Sequence, residues 1–271
     1  MGAVLLAYAP RAIITVNKER LFTSAMLAEN IARIQTIIAQ ACDKAARPRD
    51  SVTLVAVCKT QPVTALLDAV AAGIRHFGEN RVEEANPKLL EVAASVPDGL
   101  TWHMIGHIQS RKAKDVVSYQ GVRRFSLVHG VDDLEIATRL SRLVIERGDA
   151  PLPILAQVNV SGEATKSGFE AAGWEEHATI AQHITAQIKT LAALPGVSVR
   201  GLMTIAPISS QMEDSRPVFR SLKLLRDHLQ DALGVALPDL SMGMTDDYPV
   251  AIEEGATFVR IGRAIFGERS R

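Results

Sequence analysis

Eight short runs, most of them apolar, recur along the chain, and a helical stretch separates most of them from the next. They fall at 51–59, 76–80, 101–106, 123–130, 153–160, 199–206, 239–244 and 257–262. SVTLVAVCK (51–59) is apolar on both faces, as expected of a strand buried on both sides in a parallel sheet. Helical spacing is read at 62–72, 82–94, 109–118, 132–147, 174–193 and 215–233, with a short helix at 247–254. Alternating β and α units imply a parallel sheet, and eight of them fit a closed barrel better than an open sheet. Ala25, Leu27, Ile31, Ile34, Ile37, Ile38 and Ala41 predict a further helix over 23–46, ending before Pro48. The expected fold class is α/β, a single (β/α)8 TIM barrel over residues 23–271 with an extra N-terminal helix. Residues 1–22 read as a poorly ordered extension. AVLLAYA (3–9) is too short to span a bilayer and has no preceding positive charge.

Composition excludes some partners. Lys+Arg and Asp+Glu are both 30, so no basic excess steers the chain to nucleic acid or an anionic membrane. Two cysteines, Cys42 and Cys58, do not make a disulfide framework, and a reducing, cytoplasmic setting is expected. Cys58, inside an apolar run, reads as a core residue, and Trp102 and Trp174 read as packing residues.

In a barrel of this kind chemistry sits at the C-terminal strand ends. Lys59 follows a mostly apolar run there; desolvation would make its amine nucleophilic toward an aldehyde, or it is a solvated loop lysine. Ser241, Gly243 and Gly262-Arg263, near the last two strand ends, suit an anion site, or are simply turns that need glycine. Arg260, within an apolar run, needs an acceptor: a ligand atom or a barrel carboxylate such as Glu79. His103, His107 and His129 lack a tight metal-ligand pattern, and no metal is expected. Asp132 or Asp133, and Asp246-Asp247, read as helix caps.

Taken together, LVAVCKTQP (54–62), HFGENRVEEA (76–85), WHMIGHIQSRK (102–112), VNVSGEATKSGF (158–169), VRGLMTI (199–205), LSMGMTDD (240–247) and VRIGRAIFGER (259–269) are similar to segments of a known family in the same order. The chain resembles the pyridoxal-phosphate homeostasis protein family, of the YggS/PROSC type, whose barrel is related to the N-terminal domain of alanine racemase. The resemblance implies that pyridoxal 5′-phosphate is held as a Schiff base on Lys59. It implies that Ser241, Gly262 and Arg263 hold the phosphate, the last two through backbone N–H groups. It places Arg260 at the pyridine nitrogen and Asn80, His103 and Met203 along the pocket; Lys166 matches a lysine of the loop after the fifth strand. The sequence departs from the family at Arg111, Thr245 and Arg263, where Asn, Ser and Thr are common.

The expected function is therefore binding and supply of this vitamin B6 cofactor without robust turnover, with apo-enzymes as recipients and a monomer as the working unit. The alternative is a cofactor-dependent amino-acid racemase. Against it, racemisation in the related enzyme needs a tyrosine from another domain, and Tyr8, Tyr119 and Tyr248 sit in no matching context.

Overall fold

A computed structural model describes residues 18–96 and 98–267. Eight parallel strands make the barrel: β1 (Thr53–Val57), β2 (His76–Glu79), β3 (Thr101–Met104), β4 (Leu127–Val131), β5 (Leu152–Asn159), β6 (Val197–Met203), β7 (Asp239–Ser241) and β8 (Phe258–Ile261). They pair in sequence order; β8 returns to β1, and β4–β5 pairing closes the ring. A two-residue strand, Phe169–Glu170, pairs beside the end of β5 from outside the ring.

The strands are outlined by helices α1 (Lys18–Lys44), α2 (Val63–Ala71), α3 (Val82–Ser95), α4 (Ala113–Val117), α5 (Leu134–Arg147), α6 (Ala178–Ala192), α7 (Arg216–Leu233), α8 (Tyr248–Glu253) and α9 (Arg263–Phe266). The leading helix starts at Lys18, so residues 18–22 belong to it and not to an extension. The expectation for residues 1–17 lies outside the described residues. In α1, Leu27, Ile31, Ile34, Ile38 and Ala41 are buried, one stripe at helical spacing. That stripe packs on α2, α8 and α9. Asn30 Nδ2 donates to the Ile265 carbonyl at 3.2 Å, and Arg47 Nη1 to the Ile252 carbonyl at 2.8 Å.

Two apolar clusters result. The larger lies between strands and helices; a small one of Leu127, Leu155 and Met203, with Ile205 and Phe258, fills part of the barrel interior. The two tryptophans pack as expected: Trp102 stacks on Phe77 at 5.2 Å, and Trp174 Nε1 donates to Ser221 Oγ at 3.0 Å.

Two expectations need correction, and a third is narrowed to one of its two candidates. The seventh strand ends at Ser241 and not at 244, because Gly243 takes φ +90° and turns the chain. A Cβ there would also lie 2.6 Å from the Ala251 Cβ, so packing and turn geometry account for this glycine. Asp247 does not cap α8; its Oδ1 accepts from the Met244 N–H at 2.6 Å and braces the loop after β7. At the start of α5 the cap is Asp133, which accepts from the Ile136 N–H at 2.7 Å, while Asp132 pairs with His107.

Candidate functional site

Alternation along β1 decides where Lys59 falls. Val55 faces Gly78 across the interior: a Cβ on Gly78 would lie 2.9 Å from Val55 Cγ1. Cys58 faces outward, its Sγ 3.1 Å from Glu79 Oε1. Val55 and Val57 share the inward phase of β1, and Lys59 follows in the turn just past the strand, partly exposed. Its two neighbours are pinned. Lys88 Nζ donates to the Cys58 carbonyl at 2.9 Å, to Glu79 Oε1 at 2.6 Å and to Glu84 Oε1 at 2.9 Å. The Thr60 N–H donates to Glu84 Oε1, and Thr60 holds φ +64°. Burial pulls the Lys88 ammonium down, but its bonds to Glu79 and Glu84 outweigh this and leave it above the ordinary lysine range. Burial drives the Cys58 thiol well above its ordinary value, so it is inert at neutral pH.

The mouth around Lys59 is not packed shut. Val57, Asn80, Ile105, Ile205 and Gly262 are all partly exposed. Asn80, Ile105, Gln157, Asn159, Thr204 and Ile205 line a cavity of about 250 Å³ that also meets Lys166. Asn80, Gly106 and His107 continue into a neighbouring cavity of about 530 Å³, which reaches Arg81, Arg111 and Lys112. Gly262 packs against β1: a Cβ on it would lie 3.2 Å from the Val57 carbonyl oxygen. Lys59 and Gly262 thus stand on adjacent strand ends. Arg263, exposed, pairs with Asp246 through Nη2 at 2.5 Å.

Deeper in the barrel the lining is polar. Arg260, 5% exposed, donates through Nη1 to Ser241 Oγ at 2.6 Å and through Nη2 to the Thr204 carbonyl at 2.9 Å. Burial pushes the guanidinium down to about 10. Ser241 is fully buried and also lies 2.8 Å from His129 Nδ1. His103 bonds His129 on one side and His76 on the other, each at 3.0 Å. Met203 is buried in the interior cluster and pairs in register with Ser241.

Ser241, Arg260 and His103 therefore belong to one connected set, and Asn80 stands at the mouth above it. Glu79 is not the acceptor for Arg260; it faces out of the barrel to Lys88. Sequence reasoning missed His76 as a partner of His103, and missed Lys88 and Glu84. Lys88 gave one signal, a cation four residues after Glu84 on the same helix. Among the described residues no group of three or more His, Cys, Asp or Glu side chains is arranged to hold a metal ion. No described helix is long and apolar enough to cross a membrane.

A closed parallel barrel with a lysine in the turn after its first strand and a glycine at the neighbouring strand end defines a class that matches known proteins. Residues 25–270 match the family described as alanine racemase, N-terminal domain. A pyridoxal phosphate homeostasis protein of Pseudomonas aeruginosa is 42% identical over 243 residues, covering 90% of this chain and 96% of that one. Its counterpart in Aquifex aeolicus is 38% identical over 242 residues, covering 89% and 97%. PipY of Synechococcus elongatus, solved with pyridoxal phosphate bound, is 33% identical with a TM-score of 0.72, covering 89% of this chain and 100% of that one. The chain belongs to the alanine racemase N-terminal-domain family, among the pyridoxal phosphate homeostasis proteins.

Proposed function

We propose that this chain binds pyridoxal 5′-phosphate as a Schiff base on Lys59 and keeps it for delivery to apo-enzymes in the cytoplasm, acting as a monomer without robust turnover of its own. The observation that carries the reading is the adjacency of Lys59 and Gly262 on neighbouring strand ends beneath an open mouth. The residues present fit the group. Lys59 would hold the group through its neutral amine, whose two hydrogens would leave with the aldehyde oxygen as water. Gly262 and Arg263 would hold the phosphate through backbone N–H groups, with Ser241 below them. Asn80, His103 and Met203 would line the ring.

The cofactor supplies an electron sink to enzymes that use it. Arg260, if the ring nitrogen sits beside it as the family resemblance implies, would disfavour a second positive charge there, which would weaken that sink and suit storage better than carbanion chemistry. The two tyrosines among the described residues support the same reading: Tyr248 is buried in the outer core and Tyr119 sits in the turn after α4. The two cysteines are free and buried, as suits a reducing compartment.

The test is the visible absorbance of purified protein with and without added pyridoxal phosphate. A new band that borohydride traps, and that Lys59→Ala abolishes, supports the reading. No band in the wild type overturns it. Exchange of the α-proton of common amino acids in deuterated water would replace it with the racemase reading.

A further inference from the structure

Three histidines inside the barrel do more than the cofactor reading asks of them. His76 Nδ1 lies 3.0 Å from His103 Nε2, and His103 Nδ1 lies 3.0 Å from His129 Nε2. His129 Nδ1 lies 2.8 Å from Ser241 Oγ, which accepts from Arg260 Nη1 at 2.6 Å. The row crosses the interior from β2 to β8. The Phe258 ring packs edge-on against His103 and His129, with centroids 5.6 and 5.5 Å away. His129 is fully buried and His103 nearly so, while His76 is partly exposed.

Proton counting constrains such a row. Burial holds all three imidazoles below their ordinary range, so at neutral pH each carries one N–H and one lone pair. A guanidinium can only donate, so the Ser241 oxygen accepts from Arg260. Every ring-to-ring bond must then run the same way. If one ring were reversed, two N–H groups or two lone pairs would face each other in a buried gap. Two orders remain. In the outward order the Ser241 hydroxyl donates to His129 and the rings pass donors on toward His76. In the inward order the rings donate toward Ser241, and its hydroxyl is released to another acceptor.

We propose that His76, His103 and His129 form a proton row whose direction is set by what the Ser241 hydroxyl bonds: outward in the free chain, inward when a phosphate oxygen occupies the site. The second half rests on the cofactor reading given above. Reversal moves one proton across each gap. The Ser241 proton passes to His129 Nδ1, the His129 Nε2 proton to His103 Nδ1, and the His103 Nε2 proton to His76 Nδ1. His76, partly exposed, gives its Nε2 proton to water, and the buried Ser241 takes one from the entering phosphate group, which arrives as its monoanion and is left as its dianion, so protons balance. Occupancy at one end of the barrel is thereby written into a tautomer at the other.

Ring ¹⁵N NMR at neutral pH tests this in two arms, with each ring assigned by single His→Gln variants. In the free chain all three rings should carry the proton on Nε2; rings of mixed sense would overturn the row. After saturation with pyridoxal phosphate, uptake being followed by its own ³¹P signal, all three should carry it on Nδ1. Unchanged rings with the ligand bound overturn the reversal alone. Failure of the ligand to bind overturns the cofactor reading and the reversal together, while uniform rings in the free chain still support the row. His76→Phe should slow solvent exchange of the His129 ring proton at least tenfold; an unchanged exchange rate would overturn conduction through His76.

Discussion

Lys88 donates to the carbonyl oxygen of Cys58 at 2.9 Å, and through that bond a buried ion pair outside the barrel fixes the backbone just before Lys59. The same ammonium reaches Glu84, whose carboxylate takes the N–H of Thr60. A lysine has three donors, and all three are used here.

Lys88→Met should therefore be severe. It leaves the Glu79 carboxylate buried and unpaired, in a protein where Glu79 Oε2 already has no hydrogen-bond partner. The expected loss is about 3–5 kcal/mol of folding stability, measured by urea unfolding. The double variant Lys88→Met with Glu79→Gln should recover part of that loss.

Thr60 is a β-branched residue at φ +64°, a conformation that asparagine tolerates better. Thr60→Asn should raise stability by about 1 kcal/mol in the same assay, because the backbone bonds of the turn are unaffected. A loss of stability would show that the threonine side chain contributes more than its backbone strain costs.

The row of imidazoles makes stability depend on pH. Burial, with help from His76, pushes His103 down to about 3, and His129 lies well below its ordinary value for the same main reason. In the unfolded chain these rings titrate near 6.5, so below that pH the unfolded state binds more protons. Stability should then fall as pH drops from about 6.5 toward 3, by roughly 1.4 kcal/mol per pH unit for each ring. Urea midpoints between pH 7 and 4.5 should show the fall, and His103→Phe should lessen its slope.

Ser241→Ala removes the shared partner of Arg260 and His129 while leaving both buried. A cost of about 1–3 kcal/mol in thermal or urea unfolding is expected. Gly262→Val should behave differently. Its side chain would crowd Val57, where even a Cβ comes within 3.2 Å of the carbonyl oxygen. Absorbance titration should show at least tenfold weaker pyridoxal phosphate binding, about 1.4 kcal/mol.

The barrel was legible in the sequence because several of its strands, β1, β4 and β5 above all, are buried on both faces and read as mostly apolar runs. Ends were harder. The fourth run was started at Arg123, but pairing begins only at Leu127. The seventh was carried through Gly243, whose backbone turns away. Lys59, Gly262 and Arg260 could be placed because position along a strand end is a local property. The bonds of Arg260 could not, since Ser241 and Thr204 lie 19 and 56 residues away. The histidine row joins rings 26 and 27 residues apart, and no spacing rule within one element registers it.

The apolar stripe of α1 is covered partly by α2 and partly by α8 and α9, the last helices described. A chain emerging from the ribosome exposes part of the face of Leu27, Ile31 and Ile34 long before α8 and α9 are made. The barrel cannot be sealed piecemeal: until the final turns arrive, the newborn polypeptide carries an oily stripe that α2 alone covers only in part.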